Sequence, residues 1–540
     1  MSIQLITEAK WEVDSTNCIG CGDCVGICPA LVFTILPPPC QTACPINSDV
    51  GNYVCLIQKQ RFDEALASII QVNPFPGITG RVCTHPCEKD CRRGQIGEPI
   101  AIQALERFAA KQRKDYEKRQ ISQREDRGES VAIVGSGPAG LMAAWDLTRM
   151  GHHVTIFESQ QVVGGMLYVG IPEYRLPKEI IKAEIHQIEQ LGVEIRLNTT
   201  IGKDIKLDSL FEQGYRAILL ATGAHNSLKL EIPGENRFEG VIDAISFLQK
   251  VNLGHKKKMG GKAIVVGGGH AAIDSARTLL RIGCKEVNII YRRTIKEMPA
   301  IKSEVIEAEK EGVRIHYLVA PTKVLGENGR VVGLECVRIE LGESDDSGRR
   351  KPMLIAGSEF FMKTDIIIPA IGQKPNLSFL SEKDHISISE QGLIMVDTNT
   401  LSTNKTGVFA AGDNVAGPAT VIDALAAGRK AAASINSYIR CEDLKEELKE
   451  KAEARMERYS EIWWKEMPKS ELRKIPEISI KEHSFSFKEV ELGLTQSLAL
   501  EEAGRCLKCD LFAHMDLESC CRESCRICEY ACPQNVIRAY

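Results

Sequence analysis

Cysteines constrain this chain first, because they fall in metal-binding spacings at both of its ends. Residues 18–29 read Cys18-x2-Cys21-x2-Cys24-x3-Cys28-Pro29, and residues 525–533 read Cys525-x2-Cys528-x3-Cys532-Pro533. A C-x2-C-x2-C-x3-C-P run is an iron–sulfur spacing whose fourth cysteine ligates the neighbouring cluster, not its own. Taken at face value, the two ends must fold together. Cys532 then completes a quartet with Cys18, Cys21 and Cys24, while Cys28 joins Cys525 and Cys528. Regular spacing puts the remaining ligand at Arg522, which cannot serve, so Cys520 or Cys521 must supply it; Cys521 is adjacent to that position.

Twenty cysteines in a small secreted domain would read as disulfides. In a chain of 540 residues, with most of them in C-x2-C or C-x3-C groups, they read as metal ligands. Zinc is the competing reading, and the Cys-Pro endings favour iron–sulfur. Cys55, Cys284, Cys336 and Cys441 stand outside these groups and are expected to be small buried apolar residues. A net charge of −4 with no broad basic stretch argues against nucleic acid. No apolar run reaches the roughly 20 residues a membrane span needs. The first residues lack a signal peptide's basic and apolar regions, so a cytoplasmic protein without a membrane span is expected.

Between the ends lie two glycine loops, each in a complete strand–loop–helix–strand context. The first runs from Val131-Ala-Ile-Val134 through Gly135-Ser136-Gly137-Pro138-Ala139-Gly140 to a helix over 141–150, then a strand over Val154–Phe157 that ends in Glu158. The second runs from strand Ala263–Val266 through Gly267-Gly268-Gly269-His270-Ala271-Ala272 to a helix over 273–281, then strand Val287–Tyr291 followed by Arg292-Arg293. A lone G-x-G-x-x-G is weak evidence; two copies in this context are strong, because bare glycines let the backbone approach a pyrophosphate at a helix N-terminus. Glu158 can bind a ribose hydroxyl pair, so the first loop suits FAD. Arg292 and Arg293 can grip a 2′-phosphate, so the second suits NADPH over NADH.

The fold class expected is α/β. It comprises two nested Rossmann-like dinucleotide domains, for FAD and NAD(P), a helical two-cluster domain and a split two-[4Fe–4S] ferredoxin-like domain. The boundaries expected are 1–36 and 511–540 for the ferredoxin-like halves and 37–125 for the helical cysteine domain. FAD-domain parts cover 126–255 and 366–440, and the NAD(P) domain covers 256–365. Linker helices fill 441–484, and 485–510 is a last cysteine-bearing segment.

Several longer stretches carry a family resemblance. They are Asn73-Pro-Phe-Pro-Gly77, Gly80-Arg-Val-Cys83, Gly164 to Pro177 (Gly-Gly-Met-Leu-Tyr-Val-Gly-Ile-Pro-Glu-Tyr-Arg-Leu-Pro), Ala221-Thr-Gly223, Glu297-Met-Pro-Ala300 and Gly407-Val-Phe-Ala-Ala-Gly-Asp413. On these, residues 40–435 resemble the small subunit of glutamate synthase and its relatives. Those relatives include the large subunit of NADH-dependent ferredoxin:NADP oxidoreductase and the N-terminal half of dihydropyrimidine dehydrogenase. The resemblance implies FAD, NAD(P)H and two [4Fe–4S] clusters in the helical cysteine domain. It implies cofactor contacts at Gly165, Met166, Arg175, Thr222, Gly412 and Asp413, the last two toward the flavin's ribityl–phosphate part.

One departure from the family is informative. Cys40-x3-Cys44-Pro45 lacks the C-x2-C that usually precedes it, whereas Phe487 to Thr495 and Ala499 to Cys506-Leu-Lys-Cys509 resemble the family's N-terminal lead-in. A permuted arrangement follows: Cys506 and Cys509 return to Cys40 and Cys91 around one cluster, and Cys44, Cys83 and Cys87 hold the second. Relatives complete that second cluster with a glutamine or glutamate from the next helix, which here implies Glu106. With the terminal quartets, four clusters are expected.

The function implied is an electron-transfer subunit moving electrons between NAD(P)H, FAD and a chain of [4Fe–4S] clusters. Its partner would be another redox subunit, of a 2-oxoacid:ferredoxin-type oxidoreductase or a bifurcating complex, or a soluble ferredoxin. The alternative is a glutamate synthase small subunit feeding a separate amidotransferase subunit. No catalytic acid–base residue is expected, and no C-x4-C disulfide pair follows Gly164-Gly165.

Overall fold

The computed structural model describes residues 11–13, 33–35, 37–112, 128–344, 348–441, 469–479, 486–509, 513–515 and 537–539. The chain divides into two compact units. One comprises Met1–Gln120, Leu444–Pro476 and Gly493–Tyr540; the other comprises Ile121–Asp443 and Glu477–Leu492.

The first unit is built on short helices. Pro39, Pro76 and Pro86 each open one, where a missing N–H costs nothing. The Val50–Gln58 helix is capped by Asp49, whose carboxylate accepts from Asn52 N–H at 3.3 Å. The helices Val50–Gln58, Phe62–Val72 and Ile102–Lys111 bury Leu56, Ile57, Ile69, Leu105 and Phe108 in one core. Leu494, Ala499 and Ala503 belong to the same core, so the C-terminal helix Gln496–Gly504 is integral to a domain whose other helices lie some 400 residues earlier. Charge fixes its end. Glu502, fully buried, accepts from Ala101 N–H at 2.9 Å and pairs with Arg505, which also donates to Pro99 O at 3.1 Å and Glu98 O at 2.7 Å.

The two chain ends also meet through backbone pairing. Trp11–Val13 runs antiparallel to Ile537–Ala539, with Trp11 opposite Ala539, and Phe33–Ile35 runs antiparallel to Ala513–Met515, with Ile35 opposite Ala513. Most of the linker segment expected over 441–484 lies outside the described residues.

The second unit holds two parallel sheets. In the first, the order is Val408–Ala410, Tyr215–Leu220, Ser130–Val134, His153–Phe157, Glu194–Arg196. Its central strand is apolar on both faces, with Val131, Ala132 and Ile133 fully buried, as a sheet covered by helices requires. The second sheet has the order Arg314–Tyr317, Glu286–Tyr291, Lys262–Val266, Ile366–Pro369 and lies in sequence between two strands of the first. The nested Rossmann-like architecture is therefore present. An antiparallel sheet that the sequence reading did not single out accompanies it: Val319–Glu327, Arg350–Leu354 and Phe360–Lys363 all pair with the long strand Arg330–Ser344. Cys284 and Cys336 are buried here and Cys55 in the first unit, as expected. Cys441 is not: it is exposed, in the left-handed C-cap of the Val421–Arg440 helix. Among the described residues no helix is long and apolar enough to cross a membrane.

Candidate functional site

The three glycines of the first loop have three different roles. Gly135 (φ +107°) lies so close to the neighbouring strand that a Cβ would stand 2.4 Å from Ala221 O. At Gly140 a Cβ would stand 2.1 Å from Gly135 O, so helix and strand touch through backbone. At Gly137 a Cβ would meet nothing within 4 Å: that space faces the cleft, at the N-terminus of the Pro138–Arg149 helix. Packing demands the outer glycines, and the middle one leaves open space on the cleft. The second loop repeats the logic: a Cβ on Gly267 (φ +146°) would stand 2.2 Å from Ala370 O, Gly269 is open, and Ala272 is fully buried in the third position. His270 opens the following helix and its Nδ1 lies 2.6 Å from Glu304 Oε2.

A cleft runs along the first sheet's C-terminal edge. Gly135, Gly137, Glu158, Gly165, Met166, Thr222, Gly412 and Asp413 all line it. Glu158 is 5 % exposed; its Oε2 accepts from Ser136 N–H at 3.0 Å and Ser136 O–H at 2.5 Å, and its Oε1 accepts from Gln160 N–H at 2.8 Å. Burial pushes the Asp413 carboxyl up to about 6, with the nearby charge of Asp423 adding to the shift. Ser136, His225 and Asn376 also line the cleft. No sequence signal marked them, since Ser136 occupies a variable motif position and Asn376 follows the second sheet.

Two expected cofactor contacts stand elsewhere. Arg175 is not in the cleft: it donates to Asp274 Oδ2 at 2.7 Å and pairs with Glu304, two carboxylates on the helices of the nucleotide-binding sheet. Arg292 and Arg293 also part company. Arg292 is exposed, but Arg293 is 4 % exposed and donates Nε–H to Arg350 O at 2.7 Å. Both follow the end of the Glu286–Tyr291 strand in a bend, which leaves one side chain outside and takes the other inside, so the two do not present one shared face.

In the cysteine domain, Cys40, Cys91, Cys506 and Cys509 line one cavity, contributed by three separated stretches of chain. Lys508, at φ +52°, aims its N–H at Cys506 Sγ at 3.4 Å. Cys44, Cys83 and Cys87 gather on the other thiol group with Glu106. Gly80 brings them there: a Cβ on it would stand 2.7 Å from Arg107 N, so the Pro76–Val82 and Ile102–Lys111 helices touch backbone to backbone. His85, at φ +41°, donates N–H to Cys83 Sγ at 3.3 Å. Burial raises the thiols of all three cysteines, Cys83 to about 12, and the charge of Glu106 adds to each shift. Mutually repelling buried donors of this kind are stabilised by a cationic core between them. Among the described residues no three His, Cys, Asp or Glu side chains close around a single ion. Cys40, Cys91, Cys506 and Cys509 line a cavity, and S-rich donors around a space suit a cluster better than one zinc ion. Tyr53, 1 % exposed and acted on by the charges of Glu106, Cys87, Cys44 and Cys40, was not foreseen.

Cys18, Cys21, Cys24, Cys28, Cys520, Cys521, Cys525, Cys528 and Cys532 lie outside the described residues.

Residues 129–428 match the pyridine nucleotide-disulphide oxidoreductase family. Residues 33–118 match dihydropyrimidine dehydrogenase domain II with its 4Fe-4S cluster, and residues 11–34 match the 4Fe-4S binding domain. Among curated proteins, the beta subunit of NADP(+)-dependent formate dehydrogenase of Moorella thermoacetica is 42 % identical, covering 89 % of this chain and 72 % of that one. The beta subunit of NADPH-Fe(3+) oxidoreductase of Geobacter sulfurreducens is 38 % identical, covering 87 % and 75 %. The small chain of glutamate synthase [NADPH] of Escherichia coli (strain K12) is 33 % identical, covering 80 % and 92 %.

Proposed function

We propose that this chain, which belongs to the pyridine nucleotide-disulphide oxidoreductase family, is the subunit through which NADPH electrons enter or leave a larger redox enzyme by way of iron–sulfur clusters. The observation that carries the reading is the cavity lined by Cys40, Cys91, Cys506 and Cys509 in a chain that also keeps two open dinucleotide loops. No C-x4-C pair follows Gly164-Gly165, so electrons need an exit other than a disulfide.

When bound, the dinucleotide and flavin supply two-electron hydride transfer and the clusters single-electron relay. The chain's own residues bind and orient. Gly137 and Gly269 leave room for a pyrophosphate, Glu158 holds a ribose, and Arg292 faces the 2′-phosphate. Cys40, Cys91, Cys506 and Cys509 hold one [4Fe–4S] cluster; Cys44, Cys83, Cys87 and Glu106 hold a second. Two more sit in the terminal quartets, Cys18, Cys21, Cys24 and Cys532, then Cys28, Cys525, Cys528 and Cys521. The antiparallel pairing of both chain ends supports those two.

The partner is a separate redox subunit. Names of relatives favour a formate-oxidising or metal-reducing assembly, and the subunit nature of each supports a complex over a lone reductase. A second reading, electron supply to an amidotransferase subunit, is favoured by the match to nearly the whole glutamate synthase small chain. NADPH reduction of an artificial dye by the isolated holoprotein tests the core of the reading. Turnover with NADPH well above that with NADH is expected; a chain that reduces no dye with either nucleotide would not be an electron-entry subunit. Subunits that co-purify from the native source then separate the two partner readings.

A further inference from the structure

The stretch Gly164 to Pro177 touches both nucleotide-binding lobes. Its first part lines the cleft of the first sheet, through Gly165, Met166, Leu167 and Ile171. It is stiffened from within: Lys178 Nζ donates to Tyr168 O at 2.6 Å and to Ile171 O at 2.8 Å, with the lysine 6 % exposed. Its far end is fixed to the lobe of the second sheet. There Arg175 Nη1 donates to Asp274 Oδ2 at 2.7 Å and Nη2 donates to Glu304 Oε1.

The two carboxylates stand on different helices, His270–Arg281 and Lys302–Lys310. The second oxygen of Glu304 lies 2.6 Å from His270 Nδ1, and His270 directly follows Gly269, the open glycine of the second loop. A chain of direct contacts therefore runs from the wall of one dinucleotide site to the mouth of the other. Tyr174, buried beside Arg175, reinforces it. Its O–H donates to Asp274 O at 3.3 Å, the Arg281 guanidinium lies 3.8 Å from its ring centre, and its carbonyl accepts from Val490 N–H at 3.1 Å. For stability alone a buried ion pair gains little over apolar packing. A guanidinium fork bonded to two helices does fix where the loop stands, and a displacement of about 1 Å can slow a positioned reaction about 100-fold.

We propose that Arg175 is a positioning residue for hydride transfer: it ties the loop that lines the flavin cleft to the helix that opens at the second dinucleotide loop, and so sets how the nicotinamide meets the flavin. The inference rests on the reading that flavin and NADPH occupy these two sites, and goes beyond it in giving a role to a residue that touches neither. In the step served, one hydride leaves NADPH, which is oxidised by two electrons, and joins the flavin, which is reduced by two. Arg175 gives up and takes on no atom or electron.

The experiment is anaerobic stopped-flow reduction of the flavin by NADPH in the flavin- and cluster-loaded protein, which separates the limiting rate from the apparent Kd. It compares wild type, Arg175→Lys, Arg175→Met and the neutral triple variant Arg175→Met/Asp274→Asn/Glu304→Gln, which leaves neither carboxylate as an unpaired buried charge. In Arg175→Met and the triple variant the limiting rate should fall about tenfold or more, while the Kd stays within about threefold. Arg175→Lys keeps the charge but not the fork and should fall between. Oxidation of chemically pre-reduced flavin by a dye should be unchanged in all, since no nicotinamide takes part. If Arg175→Met fails to hold flavin, the triple variant decides. An unchanged limiting rate, a weakened Kd with the rate kept, or a dye step slowed as much as the hydride step would each overturn the inference and leave the nucleotide reading standing. A wild-type flavin that NADPH does not bleach would sink both together.

Discussion

Asn73 donates its Nδ2–H to Glu106 Oε1 at 2.8 Å, and the same amide lies 2.7 Å from Thr79 Oγ1. The carboxylate is held from a separate helix end, 8 % exposed, beside three buried thiols. A surface helix glutamate has no such support.

Glu106 is therefore expected to be a cluster ligand. Glu106→Ala should make one four-iron unit labile, lowering the iron content by about four atoms per chain. Glu106→Cys should retain the iron and change the EPR line shape or potential, because thiolate is a softer donor. An alanine variant with full iron and unaltered spectra would assign the fourth position to another group.

The C-terminal helix should prove indispensable to the cysteine domain. Arg505 and Glu502 are buried as a pair and reach the backbone at Glu98, Pro99 and Ala101. Removing one member of a buried pair costs roughly 3–5 kcal/mol. Arg505→Ala should lower the unfolding midpoint and release the cluster held by Cys506 and Cys509. Deleting residues 500–540 should cost three of four clusters; loss of only one, by iron analysis, would show that each chain end is self-sufficient.

The glycine loops offer a contrast between packing and binding. Gly269→Ala adds a methyl into open space, so flavin content and thermal stability should hold while NADPH affinity falls at least about tenfold. Gly140→Ala drives a methyl to 2.1 Å from Gly135 O and should abolish folding or flavin retention. Equal behaviour of the two variants would mean that the open glycine does not face a ligand.

Acid should weaken the nucleotide-binding lobe through Glu311. Burial alone would raise this carboxyl, but hydrogen bonds from Arg281 and Arg277 hold it down to about 2, against 4.5 when unfolded. Its contribution is present above pH 4.5 and is lost as pH falls toward 2. Glu311→Gln should therefore be destabilised most above pH 4.5, with the gap to wild type narrowing in more acid solution. A gap independent of pH between 3 and 6, in denaturant melts, would remove Glu311 from that role.

Local chemistry decided what the sequence made legible. Gly135, Gly137, Gly267 and Gly269 could be read because a phosphate loop's demands are met within a few residues of a strand. The joining of Cys40 and Cys91 to Cys506 and Cys509 was legible only through resemblance, since nothing in spacing links residues so far apart. Arg292 and Arg293 look alike in the sequence; only the tertiary bond from Arg293 Nε–H to Arg350 O sets the buried one apart. The burial of the Glu502–Arg505 pair comes from tertiary packing and has no local sequence signal.

Anaerobic titration of the isolated holoprotein with NADPH, followed by flavin absorbance and cluster EPR together, tests the central claim most directly. Reduced-cluster signals should grow with the bleaching of the flavin, and blocking the flavin site with Gly137→Ala should abolish both. Flavin bleaching with every cluster present by iron analysis yet still oxidised would contradict an electron path from NADPH through this chain to its clusters.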